Sequence, residues 1–257
     1  MASSLNLLTL DLHLQAKVHV GTARLEAFEL LLRGADDNGP VSPMLVLERM
    51  RGSGKVLDFN LTMAARALQI SQTLYAKGPR VPVAFNIDEV DLLIDGLPEA
   101  ILDLVERRAP SEKAVEIEIT EHDRHHDAEA IGLLLQPFAE RQMKIWIDDS
   151  VIGGNNRRGA DDLRRMHALP INGIKIDRSL IIGANRNDSS VEVGEKAARA
   201  FRHTKYVAKQ HGIEHLVVEG IETEQQLAWC RENDIPTVQG FRFHRPEGLE
   251  EAMLRFG

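Results

Sequence analysis

Short apolar runs of strand length alternate with longer segments of helical periodicity along most of this chain. The clearest run covers residues 144–149, reads KIWIDD, and is followed by a loop rich in glycine and asparagine. A short apolar run bounded by turn residues is typical of a buried strand. This strand delivers two adjacent carboxylates at its end, where a cation or hydrogen-bond donors must receive them.

Seven further segments have the same character and alternate with helical segments. The predicted strands cover residues 14–20, 23–33, 81–88, 114–121, 144–149, 173–177, 215–219 and 238–243. The predicted helices cover residues 43–54, 58–77, 92–108, 127–141, 161–168, 191–211, 223–233 and 249–256. Only Gly21 and Thr22 separate the first two strands, a connection that suits an antiparallel pair. The pattern predicts an α/β fold: a TIM-type (β/α)8 barrel, one domain over residues 1–257, with one early antiparallel strand.

Polar residues fall at alternate positions near the ends of these strands. Alternate side chains share one face of a strand, and the interior face of a barrel opens at the C-terminal rim, where barrel enzymes carry out their chemistry. The residues placed there are Glu29, Asn86, Glu118, Asp148, Asp149, Lys175, Asp177, Glu219 and Gln239. A structural ion pair or a capping role would explain any one of these residues alone. Their occurrence at so many strand ends predicts a functional site.

This set of side chains favours one class of chemistry. Carboxylates and an amide oxygen, with no cysteine or histidine among them, are hard ligands that suit Mg²⁺ or Mn²⁺ rather than zinc. Two such ions can activate a water and stabilise the leaving oxygen of a phosphodiester. A lysine at the same rim can orient that water or stabilise negative charge. The residues alone therefore indicate metal-dependent chemistry on an anionic substrate of phosphoryl type.

Three further residues are interpreted as structural. Trp146 shares a strand face with Asp148 and is predicted to fill the barrel. Glu116 lies one layer deeper than Glu118 and is predicted to be a buried, hydrogen-bonded partner rather than a ligand. Cys230, the single cysteine, is predicted to be a small core residue.

Composition and charge limit the classes of molecule that this protein is expected to bind. The 257 residues carry a formal net charge of −8, which disfavours wide non-specific binding to DNA or to anionic membranes. A single cysteine excludes a disulfide scaffold and fits a reducing compartment. No segment approaches the roughly 20 apolar residues of a membrane span, and the N-terminus lacks a signal-peptide pattern. We therefore expect a cytoplasmic protein with no DNA and no membrane partner.

Short motifs occupy the ends of the predicted strands in a regular order. Residues 29–33 read ELLLR, and Asn86 ends the next strand along the chain. The later motifs are EITE at 118–121, DD at 148–149, KIDR at 175–178, EGIET at 219–223 and QGF at 239–241, with Phe243, Arg245 and Pro246 after it. Together they resemble the EAL-domain family of cyclic di-GMP phosphodiesterases, with leucine replacing the middle alanine of the name motif. The motif-bearing core covers about residues 14–246.

The resemblance implies an EAL-type barrel and a set of metal ligands. The residues expected to hold one divalent ion are Glu29, Asn86, Glu118 and Asp148. Asp148 and Asp149 are expected to take part in a second metal site. The implied cofactors are therefore two ions of Mg²⁺ or Mn²⁺.

The resemblance also implies a reaction, the hydrolysis of cyclic di-GMP to the linear dinucleotide pGpG. Lys175 and Glu219 would be the catalytic residues that serve the attacking water. The residues expected to bind the substrate are Gln15, Arg33 and Gln239. Glu222 would support the loop that follows the paired aspartates.

One segment departs from the family pattern. Residues 150–156 read SVIGGNN, whereas the family has a Phe-Gly-x-Gly loop that positions the second metal site and contributes to dimer coupling. A β-branched residue in place of glycine disfavours a positive φ, so the loop is expected to follow another path. Three functions stay open: a metal-dependent phosphodiesterase of reduced rate, a receptor that binds cyclic di-GMP without hydrolysing it, and a protein-interaction module. A homodimer and, for an inactive protein, another protein are the remaining candidate partners.

Overall fold

Strands and helices alternate in the computed structural model, which describes residues 8–111, 113–120, 127–150, 165–178 and 191–257, with the backbone alone at 149–150 and 191–197. The strands are β1 (Thr9–His19), β2 (Leu25–Asp36), β3 (Gly39–Val41), β4 (Val83–Asp88), β5 (Val115–Thr120), β6 (Lys144–Ser150), β7 (Gly173–Ile176), β8 (His215–Val218) and β9 (Thr237–Gln239). The helices are α1 (Pro43–Gly52), α2 (Val56–Lys77), α3 (Leu97–Arg108), α4 (Ala128–Glu140), α5 (Val191–Gln210), α6 (Glu224–Glu232) and α7 (Leu249–Phe256).

Eight of these strands close a barrel. The sheet runs in the order β1-β9-β8-β7-β6-β5-β4-β2, and β1 also pairs with β2, which joins the two ends. β1 is antiparallel to both of its neighbours, β2 and β9. All other neighbouring strands in the ring, from the pair β2–β4 to the pair β8–β9, are parallel. β3 pairs only with β2 and lies outside the ring. The predicted TIM-type (β/α)8 barrel with one early antiparallel strand is confirmed.

The hydrophobic core lies between the barrel and its helices. Ile117 and Ile119 of β5 and Ile145 and Ile147 of β6 are fully buried in the same cluster as Leu135 of α4. Burial of each such side chain contributes roughly 1.5–3 kcal/mol to the free energy of unfolding. The alternate residues of the same strands therefore face the barrel interior, which is where the polar set lies. None of the helices in the described ranges combines the length and the apolar character needed to cross a bilayer.

Several element boundaries differ from the predictions, such as that of β1, which begins at Thr9 rather than at residue 14, and two differences have a clear physical cause. The segment 92–108 is not one helix, because a 3-10 helix (Glu89–Leu93) ends before Gly96, whose φ of 77° interrupts the helical path. The predicted strand 238–243 ends at Gln239, because the chain turns where Gly240 packs against the backbone of Ile221. In that turn the His244 amide donates to the Gly240 carbonyl.

Trp146 fills the barrel interior, as predicted, and its indole packs against a glycine of the neighbouring strand. Trp146 pairs in register with Gly173 on the neighbouring strand, and a Cβ on Gly173 would lie 2.2 Å from Cε3 of the indole. The ring is held in place by Glu116, whose carboxylate accepts from Nε1 at 2.9 Å. The ammonium of Lys17 lies 4.6 Å from the ring centroid on a favourable cation–π approach. The indole therefore cannot move aside without losing these contacts.

We predict that Gly173→Ala lowers the free energy of unfolding by about 1–3 kcal/mol, because the added methyl overpacks against the indole. Gly52→Ala is the matched control, since nothing lies within 4 Å of its added Cβ and its φ is not positive. The control should change stability by less than about 0.5 kcal/mol. Urea denaturation of both variants measures the difference, and equal stability of the two would contradict the packing argument.

Candidate active site

The parallel strands β2, β4, β5 and β6 bring four predicted metal ligands together at one rim of the barrel. Carboxylate oxygens of Glu29, Glu118 and Asp148 all lie within 4.8 Å of one another. Asn86 joins them, because its Nδ2 donates to Glu29 Oε1 at 2.9 Å. Parallel strands in register carry these residues to the same rim, with Asn86 paired to Glu118 between β4 and β5. Their roles as ligands stay predictions, while their proximity is an observed feature of the fold.

Lys175 of β7 lies at the centre of this acidic cluster. Its Nζ is 2.6 Å from Glu118, 2.7 Å from Glu219, 3.0 Å from Asp148 and 3.2 Å from Glu29. The lysine side chain is only 1% exposed. A buried charge is tolerated only when it is paired and hydrogen-bonded, so this ammonium and the four carboxylates depend on one another.

The pKa values in the cluster diverge because the charges compete. Burial alone would lower the pKa of Lys175, but Asp148, Glu118, Glu219 and Glu29 raise it well above its usual value, so the side chain stays an ammonium. Burial and the charge of Glu29 raise the pKa of Glu118 to about 7. Burial would also raise the pKa of Glu29, but Lys175, Lys17 and two hydrogen bonds lower it to about 2.

Glu219 follows β8 and lies beside the lysine at the edge of the cluster. Burial, together with the negative charges of Asp148 and Glu29, raises the pKa of Glu219 well above its usual value, although Lys175 opposes this. A carboxylate of raised pKa accepts a proton more readily near neutral pH. The contact between Glu219 and Lys175 therefore places a candidate proton acceptor beside an ammonium group.

The amide side chains of Asn86 and Gln239 orient Glu29, and the amide oxygen of each has no hydrogen-bond donor in the part of the chain that the structure describes. Gln239 Nε2 donates to Glu29 Oε2 at 2.6 Å and to Gln15 Oε1 at 3.1 Å. Within the described residues, the buried Oδ1 of Asn86 and Oε1 of Gln239 receive no hydrogen bond. A buried acceptor without a partner costs free energy unless a cation or water receives it. The oxygen of Asn86, beside three carboxylates, therefore fits a Mg²⁺ or Mn²⁺ ion.

Two cavities flank the acidic cluster at the mouth of the barrel. The first, of about 370 Å³, has an apolar wall that includes Met44, Phe59 and Met63. The second, of about 320 Å³, is lined by polar and charged groups, among them Lys175 and Arg178. Three residues line both cavities: Glu29, Leu31 and Asp148. The arrangement suits an extended ligand that crosses the carboxylates with one end in each cavity.

The remaining predicted site residues fall into three groups. Gln15, Gln239 and Glu222 line the second cavity. Arg33 lies further along β2 on the face of Glu29; its Nη1 donates to the Leu32 carbonyl at 2.8 Å, and it lines neither cavity. The backbone of Asp149 belongs to β6, but its side chain and residues 151–156 of the altered loop lie outside the described part of the structure.

A buried polar network behind Asn86 was not found from the sequence. Arg51 of α1 donates to Asp91 at 2.8 and 2.9 Å and contacts Asp88 at 3.0 Å. Asn60 of α2 donates to the other oxygen of Asp91 at 3.0 Å. The network fastens the turn after β4 to two helices and so holds Asn86 at the rim. Its members come from four separate elements, so no local pattern connects them.

Lys17 of β1 is the second site residue that the sequence reasoning missed. Its Nζ contacts Glu118 Oε1 and lies 3.9 Å from Glu116, and the side chain is 1% exposed. Gln15, Lys17 and His19 are the polar residues at alternate positions of the predicted strand 14–20. The parity argument applied to the other strands would have placed Lys17 in the barrel interior.

Comparison with known proteins identifies the family. The family model of the EAL domain matches residues 3–246, nearly the whole chain. This chain therefore belongs to the EAL domain family. It is 27% identical over 254 residues to the cyclic di-GMP phosphodiesterase NbdA of Pseudomonas aeruginosa, covering 96% of this chain. The chain spans only 30% of the length of NbdA.

Solved structures show the same fold. The PaMucR phosphodiesterase in complex with cyclic di-GMP matches with a TM-score of 0.76 at 24% identity, over 95% of this chain and 99% of that one. The BlrP1 protein of Klebsiella pneumoniae, in a complex with calcium and cyclic di-GMP, matches with a TM-score of 0.70 at 24% identity. That match covers 92% of this chain and 55% of BlrP1. At these identities the likeness establishes the barrel fold.

We predict that Lys175→Met lowers the free energy of unfolding of the metal-free protein by about 3–5 kcal/mol, because four carboxylates lose their shared cation. Lys77→Met, at an exposed position in the last turn of α2, is the matched control and should change it by less than about 0.5 kcal/mol. Urea denaturation in the presence of a chelator measures both. Equal effects of the two substitutions would refute a charge-balancing role for Lys175.

Proposed function

We propose that this protein is a metal-dependent phosphodiesterase that hydrolyses cyclic di-GMP to pGpG. The observation that carries the proposal is the cluster of Glu29, Glu118 and Asp148 around Lys175, set between two cavities at the barrel mouth. The names of NbdA and PaMucR, which identify them as phosphodiesterases, support the same reaction.

The proposed ion is Mg²⁺ or Mn²⁺, and its ligands would be Glu29, Asn86, Glu118 and Asp148. When bound, a divalent ion supplies Lewis-acid activation of the phosphodiester and of water. A second ion would involve Asp148 and Asp149. The unsatisfied oxygen of Asn86 and the all-oxygen donor set support this choice. The calcium reported for BlrP1 is a further hard cation and is consistent with it.

The protein's own residues would move and hold the proton. Glu219 is the proposed proton acceptor for the attacking water, since its pKa is raised by burial. Lys175 remains an ammonium and contacts Glu219 at 2.7 Å, so it would orient this carboxylate and stabilise charge that develops on the phosphate oxygens. The two side chains therefore divide the work between proton transfer and electrostatic stabilisation.

The substrate would lie across both cavities. One guanine would occupy the apolar cavity beside Met44 and Phe59, and the scissile phosphodiester would lie over the carboxylates. Gln15 and Gln239 would contact the half of the dinucleotide in the second cavity, and Arg33 would reach it from the end of β2. Because the chain carries a net charge of −8, an anionic ligand depends on such local cations.

Turnover of cyclic di-GMP in Mn²⁺ and in Mg²⁺ is the direct test. The wild type and Lys77→Met should both form pGpG, detected by liquid chromatography, whereas Glu29→Gln should be slower by about a hundredfold or more. Glutamine keeps the size of the side chain but removes the ligand charge. An absence of product from the wild type would refute the proposal, and calorimetry with cyclic di-GMP in Ca²⁺ would then separate a receptor from a protein-interaction module.

Metal affinity should also depend on pH. The pKa of Glu118 is about 7 in the metal-free protein, and a carboxylate must lose its proton to bind a metal. Competition by one proton with this pKa makes the dissociation constant for Mn²⁺ about tenfold larger at pH 6 than at pH 8. Glu118→Gln should bind Mn²⁺ more weakly and lose this dependence. A wild-type constant that is the same at both pH values would show that Glu118 is not a titrating ligand.

A further inference from the structure

Lys17 is a second buried ammonium beneath the proposed metal site, and the proposed reaction does not use it. It lies on β1, the antiparallel strand, and reaches across the barrel to Glu118, which is 101 residues away in sequence. Burial lowers its pKa, but Glu118 and Glu116 outweigh that effect and raise the pKa above its usual value. Two carboxylates lie beside the Lys17 ammonium, Glu118 in contact and Glu116 at 3.9 Å, and their negative charges favour its protonated form in the barrel interior.

The two lysines together contact both carboxylate oxygens of Glu118. Lys17 contacts its Oε1, and Lys175 contacts its Oε2 at 2.6 Å. Glu118 is fully buried, so both contacts lie away from bulk solvent. Each cation that Glu118 already receives reduces the negative charge it can offer to a metal ion.

The surroundings of Lys17 hold its ammonium in place. Glu116 lies 3.9 Å away on the side opposite the solvent-facing rim, and Trp146 covers the ammonium at 4.6 Å. Glu116 is itself bound to the indole Nε1 and lies 3.7 Å from Lys144. With 1% of its side chain exposed, Lys17 has no route to solvent in this arrangement.

We propose that Lys17 is a fixed internal counter-ion that weakens divalent-metal binding at Glu29, Glu118 and Asp148. The inference rests on the proposed function, because it concerns the same metal site. An ion bound there must share Glu118 with the ammonium and is repelled by its charge across a low-dielectric interior. Lys17 is a positioning residue in this account, since it acts on the ion through Glu118 and touches neither substrate nor water. Glu116 offsets part of its charge.

Three variants test the charge argument through metal binding. Lys17→Met removes the cation and keeps the approximate length of the side chain. Glu116→Gln removes the offsetting anion and keeps an oxygen acceptor for the Trp146 indole. The double variant restores the net charge of the wild type. The dissociation constant for Mn²⁺ is measured at pH 8 by calorimetry on the full chain after removal of metal.

We expect Lys17→Met to bind Mn²⁺ about tenfold or more tightly than the wild type, because the repulsion is removed. Glu116→Gln should bind more weakly than the wild type, and the double variant should return close to it. The rise in melting temperature on adding Mn²⁺ should follow the same order, since a ligand stabilises the state that it binds.

An unchanged or weaker affinity in Lys17→Met would overturn the inference, as would a double variant that matches Lys17→Met. If Lys17→Met does not fold, Lys17→Gln, which also removes the positive charge, is measured in its place with the same expected result. Failure of the proposed function can be distinguished from failure of this inference. A wild type that binds Mn²⁺ without forming pGpG refutes the reaction but not the role of Lys17. An absence of Mn²⁺ binding by every variant overturns both.

Discussion

The shared ion pairs of Lys175 are the interaction on which the site depends. Four carboxylates lie within 3.2 Å of one ammonium inside the mouth of the barrel, where charges without partners would be prohibitively costly. The metal-free protein therefore offsets part of the negative charge with its own cation, and a metal ion must enter a cluster that already contains that cation. Stability, metal affinity and proton transfer are consequently coupled through the same few atoms.

The barrel makes this concentration of charge attainable. Parallel strands in register place Asn86 and Glu118 side by side, while β1 closes the ring from the opposite direction and carries Gln15 and Lys17 to the same interior. Outward-facing apolar residues secure each strand of the barrel in the surrounding helical layer. The apolar layer thus holds the strands that carry the polar residues, which suits a site that must keep its geometry when a ligand or an ion binds.

A layer below the carboxylates connects packing with electrostatics. Gly173 leaves room for the Trp146 indole, the indole fixes Glu116, and Glu116 faces the ammonium of Lys17. A change of volume at the glycine therefore affects the same contacts that set the charge beneath the metal ligands. The polar network of Arg51 and Asp91 supports the site behind Asn86. It fixes the turn after β4 and does not change the charge near the metal ligands.

By itself the sequence determined the barrel, one early antiparallel strand and most of the rim residues, because these follow from local alternation of polar and apolar positions and from short turns. Trp146 and Glu116 were also placed correctly by parity. Only the tertiary structure decided that Lys17 reaches Glu118 and that Arg51 reaches Asp91, because these contacts join residues far apart in sequence. It also decided the end of β9, since the close approach of Ile221 to Gly240 is a long-range packing constraint that no local pattern encodes.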